Sequence, residues 1–220
     1  MKLTIKILLI PWLSIGAATL YGETLTVSLL DLRSESGLYD AVVEIIPIRQ
    51  MTPEVMPIEV SVDQVDKEFI SDVTVVPVGS RINFPNSDEI LHHVYSFSQT
   101  KSFDIPLYGG GDNLDHFETF DRPGVVVIGC NIHDWMLAYI YVAESALVSK
   151  SDELGKARLE NLEPGHYQLK IWHARMGDDP PLIKEVDVAA GLDTNLTIAL
   201  DLAPERRIRR APSSTSGRYR

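Results

Sequence analysis

Cys130, His133 and Met136 are spaced three residues apart in the run CNIHDWM, and Cys130 is the chain's only cysteine. A thiolate, an imidazole and a thioether form the soft donor set that selects copper over magnesium or calcium. Two-residue gaps bring the three side chains round one centre if the run is a loop between strands. Its flanks suit that: GVVVIGC ends one β-branched run and LAYIYV begins the next. A trigonal copper site with methionine as weak axial ligand also needs a second histidine. His92 and His93, in NSDEILHHVYSF, are the upstream candidates. Zinc fits less well, because its structural sites ordinarily use more cysteine and no methionine. A Cys-His nucleophile pair would also need an oxyanion site, and none is obvious in the loop.

The elements that must position these residues read as strands throughout. TLTVSLLDL, AVVEIIPI, DVTVVPV, RINFP, LHHVYSF, GVVVIGC and AYIYVA are rich in β-branched and aromatic residues, and turn stretches such as PVGS, PNSDE, YGGGDN and DRPG separate them. Short strands continue after residue 144, in KARLENL, HYQLKIW, IKEVDV and TNLTIAL. No segment holds a 3.6-residue apolar period over three turns, so the expected fold class is all-β, built of sandwiches or barrels.

The ends carry different signals. Residues 1–22 place Lys2 and Lys6 before an apolar run and then small residues, the three-part form of a secretory signal peptide. The apolar run is too short for a membrane-spanning helix, so the mature chain is expected to lack a transmembrane span and to lie outside the cytoplasm. A single cysteine permits no intramolecular disulfide, so in an oxidising compartment this thiol is either buried and inert or bound to something. Without residues 1–22 and 205–220 the chain has 12 basic and 30 acidic residues, a net charge of −18. Such a body repels nucleic acid. The tail, 204–220, is basic and rich in Ser, Pro and Gly; it reads as a solvated, disordered end, with contact to a membrane or an acidic partner as the sharper alternative.

Residues 58–143 resemble a cupredoxin of the plastocyanin and amicyanin type. KEFISDVTVVPVGSRINFPNSDEILHHV is similar to that family's approach to its first ligand, in which an Asn lies six residues before the histidine, as Asn86 does before His92. FDRPGVVVIGCNIHDWM is similar to the second ligand segment with the short amicyanin spacing. The resemblance implies a Greek-key β-sandwich holding one type 1 copper ion, with His92, Cys130 and His133 as equatorial ligands and Met136 as the axial one. It gives Asn86 the part of tying the two ligand loops together. His93 stands where the family usually has Asn, with a backbone N–H that can still reach the Cys130 sulfur. Asp134 stands where Pro is frequent, beside the His133 imidazole, whose protonation it could alter. Trp135, inside the loop, is expected to serve packing and docking. His116 and His166 read as solvated turn residues, and Trp172-His173 as the end of a strand at a domain edge.

KSDELGKARLENLEPGHYQLKIW resembles the carboxypeptidase regulatory-like, prealbumin-type β-sandwich, whose usual opening strands are missing just before residue 145 but appear in TLTVSLLDLRSESGLYDAVVEII. Residues 23–50 and 145–203 are therefore expected to form one small sandwich with the cupredoxin unit inserted into it. Together these resemblances imply a periplasmic, non-enzymatic carrier of single electrons between redox partners such as a cytochrome or a dehydrogenase. A methylamine-utilisation setting is one possibility. The alternative is a copper chaperone or sensing module without electron transfer.

Overall fold

A computed structural model describes residues 22–49, 53–111 and 115–204; nearly all of the expected signal peptide and of the basic tail lie outside the described residues. Apart from one short 3-10 helix, Ala174–Met176, the regular structure of the described residues consists of strands. In order these are β1 (Glu23–Asp31), β2 (Val42–Pro47), β3 (Glu59–Ser61), β4 (Gln64–Val65), β5 (Glu68–Phe69), β6 (Val73–Pro77), β7 (Ser80–Asn83), β8 (His92–Phe97) and β9 (Ser102–Tyr108). There follow β10 (Phe117–Phe120), β11 (Gly124–Gly129), β12 (Leu137–Ala143), β13 (Val148–Lys150), β14 (Lys156–Leu162), β15 (Gly165–Trp172), β16 (Leu182–Val188) and β17 (Thr194–Leu200). No helix among the described residues is long and apolar enough to cross a membrane.

Four sheets pack as two sandwiches. The first pairs β14-β1-β17 with β13-β2-β15-β16. β1 runs antiparallel to β14 and parallel to β17, so the earliest described strand lies between two of the latest. Its alternating apolar residues Leu25, Val27 and Leu29 point inward and meet Val43, Ile45, Leu159, Leu169 and Ile171 in one core. A strand hydrophobic on alternate positions has one face to bury, and here the facing sheet covers it. The turn Asp152-Glu-Leu-Gly155 closes β13 to β14: the Asp152 carboxylate accepts the amides of Leu154 and Lys156. Gly155 has φ +78, and a Cβ there would lie 2.2 Å from the Leu29 carbonyl oxygen. Only glycine meets both conditions.

The second sandwich sets β10-β7-β3 against β6-β12-β11-β8-β9 around Ile82, Phe84, Val94, Phe120, Ile128 and Ile140. β4 and β5 form a small separate hairpin. The strand LAYIYVA explains how the two sandwiches meet. Ala138, Ile140 and Val142 enter the core of the second sandwich, while Tyr141 and Ala143 point the other way and pack with Val42, Val73 and Trp172. Tyr139 lies partly buried against the same cluster. β12 is thus covered on both faces, which is why it reads as a continuous apolar run rather than an alternation.

Glu44 interrupts VVEIIP with a carboxylate that is only 1% exposed. Its oxygens accept the Tyr141 hydroxyl and the amides of Glu144 and Ser145, each at 2.8 Å. These donors lie where the chain leaves the second sandwich and re-enters the first. Burial raises the Glu44 pKa, against the opposing hydrogen bonds from Tyr141 and Ser145 and the charge of Lys170. A carboxyl whose pKa is raised on folding contributes stability that is fully present below its unfolded value and is lost as the pH rises through its folded value. Glu44→Gln can still accept both amides and donate to the tyrosine oxygen without carrying charge. Thermal melts from about pH 4 to about pH 8 should show a flatter stability profile for it than for the wild type. Glu44→Leu should instead lose on the order of 1–3 kcal/mol for each donor left unpaired.

Candidate metal centre

Two loops at one end of the second sandwich supply the centre. One runs from the end of β7 through Pro85-Asn86-Ser87-Asp88 to His92, the first residue of β8. The other links β11 to β12 through residues 130–136. The second loop closes on itself: the Cys130 amide donates to the Met136 carbonyl at 3.2 Å and the Met136 amide to the His133 carbonyl at 2.9 Å. This tight return brings the side chains of Cys130 and His133 to the same place as His92. Gly129, next to Cys130, pairs with Tyr95 of β8, two residues beyond His93, so sheet register sets the two loops side by side.

The sulfur of Cys130 lies 3.7 Å from Nδ1 of His92 and 3.6 Å from Nδ1 of His133. The three donor atoms all fall within 4.8 Å of one another. Metal bonds of the usual length to one thiolate and one imidazole, opened to a tetrahedral or trigonal angle, separate the two donor atoms by about 3.6–3.8 Å. The distances therefore fit both imidazoles and the thiolate round one ion. Met136 is buried in the same core cluster as Cys130.

Adjacent strand residues separate the two candidate histidines. His92 is fully buried and faces Cys130. His93 points to the opposite face, with Nε2 2.6 Å from the Asp104 carboxylate and its ring 5.5 Å from that of Tyr95. A register shift between β8 and β9, with Pro106 and Leu107 as the unpaired step, sits opposite this pair. Bulges of this kind commonly re-aim side chains beside sites. His93 does act on the centre through its main chain, since its backbone N–H donates to the Cys130 sulfur.

The electrostatics favour an ionised sulfur. Burial pushes the Cys130 thiol up, but the hydrogen bond to His92 and the amides of His93, Ile132 and His133 outweigh it and leave the pKa lowered. A thiolate is the form that binds metal. Burial likewise works against a charged His92, but its bonds to Cys130 and Asp88 prevail and raise its pKa. The His133 pKa is lowered, by burial and then by the charges of His92 and Lys67, which favours the neutral ring, the form with a lone pair to donate.

Several expectations need correction. Asn86 does not join the ligand loops through its side chain: its amide donates to the carbonyls of Ile90 and Tyr108 and its oxygen accepts the Asp88 amide, all on the His92 side. Lys67, in the β4–β5 turn, makes the tie instead. Its N–H donates to Asp88 at 2.9 Å and its carbonyl accepts Nε1 of Trp135 at 3.0 Å. Trp135 thus anchors the cysteine loop, with its ring 5.4 Å from that of His133. Asp134 is exposed and is not among the charges acting on His133; the carboxylate that is belongs to Asp88. His116 is no solvated turn residue, because its ring packs 4.1 Å from that of Tyr108 with Nε2 buried. His166 stays open to solvent near the start of β15, between Asp187 and Glu185. Trp172 lies in the cluster between the sandwiches, and His173 caps a short 3-10 turn by accepting the Arg175 amide.

Sequence reasoning passed over Asp88 and the Asp66-Lys67 turn. Asp88 stands four residues before His92, a spacing with no periodic meaning in a loop. Asp66 and Lys67 have φ +54 and +63. Left-handed backbone costs about 1–2 kcal/mol for each residue with a Cβ. Two amide bonds to one carboxylate, about 1.5–3 kcal/mol each, outweigh that cost.

No protein-family model matches the chain, and no curated protein matches it. Among solved structures, the copper-containing nitrite reductase from Thermus scotoductus SA-01 is similar at 27% identity over 45% of this chain and 25% of that one, with a TM-score of 0.37. The match thus spans about a quarter of the reductase chain. A purple cupredoxin from Nitrosopumilus maritimus is similar at 20% identity over 39% of this chain and 98% of that one, with a TM-score of 0.33. Amicyanin from Paracoccus versutus is similar at 15% identity over 46% of this chain and 98% of that one, with a TM-score of 0.35.

Proposed function

We propose that the protein is a type 1 copper protein that passes single electrons between redox partners and catalyses no reaction of its own. The observation that carries this reading is the Cys130 sulfur set at nearly equal distances from the Nδ1 atoms of His92 and His133, with backbone amides aimed at it. Bound copper would supply the one-electron Cu(II)/Cu(I) couple. His92, Cys130 and His133 would hold it, with Met136 as the weak axial donor.

The chain's own residues support transfer in three ways. The His93, Ile132 and His133 amides hold negative charge on the sulfur and limit how far it can move when the metal's charge changes. Burial of His92, Cys130 and Met136 keeps bulk water away. His133 is only half-buried and offers the route by which a partner reaches the centre. Segment 1–22 supports export to the periplasm. The partner class that fits is a cytochrome or a dehydrogenase, with an amine-oxidising enzyme as one donor. In this reading residues 58–143 are the copper unit, inserted in a sandwich built from 23–50 and 145–203; the pairing of β1 with both β14 and β17 supports that division.

The copper-loaded, oxidised protein should show an intense visible thiolate-to-copper band, and Cys130→Ser should abolish it. Copper taken up at one equivalent without colour would sink the type 1 reading in favour of a chaperone. His92→Ala should likewise destroy the band, while His93→Asn, which keeps the backbone donor, should retain it. The reverse pattern would show that the ligand register is one residue out. Met136→Leu should keep the copper and raise the reduction potential, which electrochemistry on the purified variant would read.

A further inference from the structure

The buried His92 ring has two faces in use. Nδ1 points to the Cys130 sulfur, and Nε2 lies 2.7 Å from Oδ2 of Asp88, whose side chain is only 13% exposed. The carboxylate is itself held in place. Its Oδ1 accepts the Asp66 amide at 2.7 Å and its Oδ2 the Lys67 amide at 2.9 Å. Two successive left-handed residues aim two successive N–H groups at one anion, a concave arrangement suited to binding negative charge. Through its carbonyl, Lys67 also receives Trp135 from the cysteine loop.

We infer that Asp88, seated on the Asp66-Lys67 turn, is a positioning residue for the metal centre: it accepts the Nε2 proton of His92, keeps the Nδ1 lone pair directed at the ion, and lowers the reduction potential. The inference rests on the copper reading above. A ring carrying its proton on Nε2 has only Nδ1 free to coordinate, and an acceptor on Nε2 makes Nδ1 a stronger donor. A fixed negative charge one imidazole away from the ion favours the more positive, oxidised metal. The Lys67 peptide links this carboxylate to the cysteine loop, so one turn sets the relative placement of both ligand loops.

Three full-length variants separate the roles. Asp88→Asn keeps an acceptor for Nε2 and the Lys67 amide but removes the charge, its NH2 taking the place of the oxygen that accepts the Asp66 amide. Asp88→Ala removes both. Glu68→Gln removes an exposed carboxylate from the neighbouring strand β5 and leaves the Asp66-Lys67 turn as it is. Copper affinity by competition titration should fall about 10–100-fold in Asp88→Ala, with far less change in Asp88→Asn. The reduction potential should rise in Asp88→Asn and stay at the wild-type value in Glu68→Gln. In zinc-loaded wild type, nitrogen-15 NMR should show a slowly exchanging Nε2 proton on His92, and Asp88→Ala should lose that protection. Circular dichroism would establish that each variant is folded, and Asp88→Asn decides the question if Asp88→Ala is not. A potential unchanged in Asp88→Asn, or shifted equally in Glu68→Gln, overturns the inference while a blue wild type leaves the copper reading standing. A colourless copper-loaded wild type would overturn that reading instead.

Discussion

A buried thiolate is costly unless donors surround it, and the architecture of the second sandwich meets that demand at Cys130. Three backbone amides and two imidazoles converge on one sulfur. None of this survives a slip in register. A one-residue shift of β8 would turn His92 out to the face that His93 occupies and bring the wrong side chain to the sulfur. The pairing of β8 with β11, the shift between β8 and β9 and the closed loop of residues 130–136 therefore act as one device. Core residues such as Val94, Ile128 and Ile140 hold it by fixing which face of each strand is inside.

Behind that first ring of atoms lies a second, built from a hairpin only six residues long. The Asp66-Lys67 turn spends backbone strain to present two amides to Asp88 and one carbonyl to Trp135. The strain persists because both partners are themselves fixed, Asp88 by His92 and Trp135 by the closed loop. The centre and its support stabilise each other.

The first sandwich meets the second on the far face of its five-stranded sheet. β12 presents Ile140 and Val142 to one core and Tyr141 to the other contact, where Trp172 and Val42 cover it. Glu44 then binds the amides of the returning chain. The strand that begins just after Met136 is thus clamped on both faces, and the ligand loop hangs from a rigid support rather than from a free edge.

Much of this was legible in the amino-acid order. The all-β character follows from strand-length β-branched runs broken by turn residues, and the grouping of Cys130 with His133 follows from spacing, because a short loop leaves neighbouring side chains few directions to take. What the sequence could not decide was every contact that depends on distant segments meeting: that Lys67 and not Asn86 joins the ligand loops, that Asp88 backs His92 and acts on His133, and that His116 packs on Tyr108. A hydrogen bond between residues 67 and 135 leaves no mark on either stretch of sequence. Local chemistry and spacing determined which atoms are available as ligands; strand register and long-range packing decided which of them face inward and what stands behind them, because only the folded chain brings those segments within reach of one another.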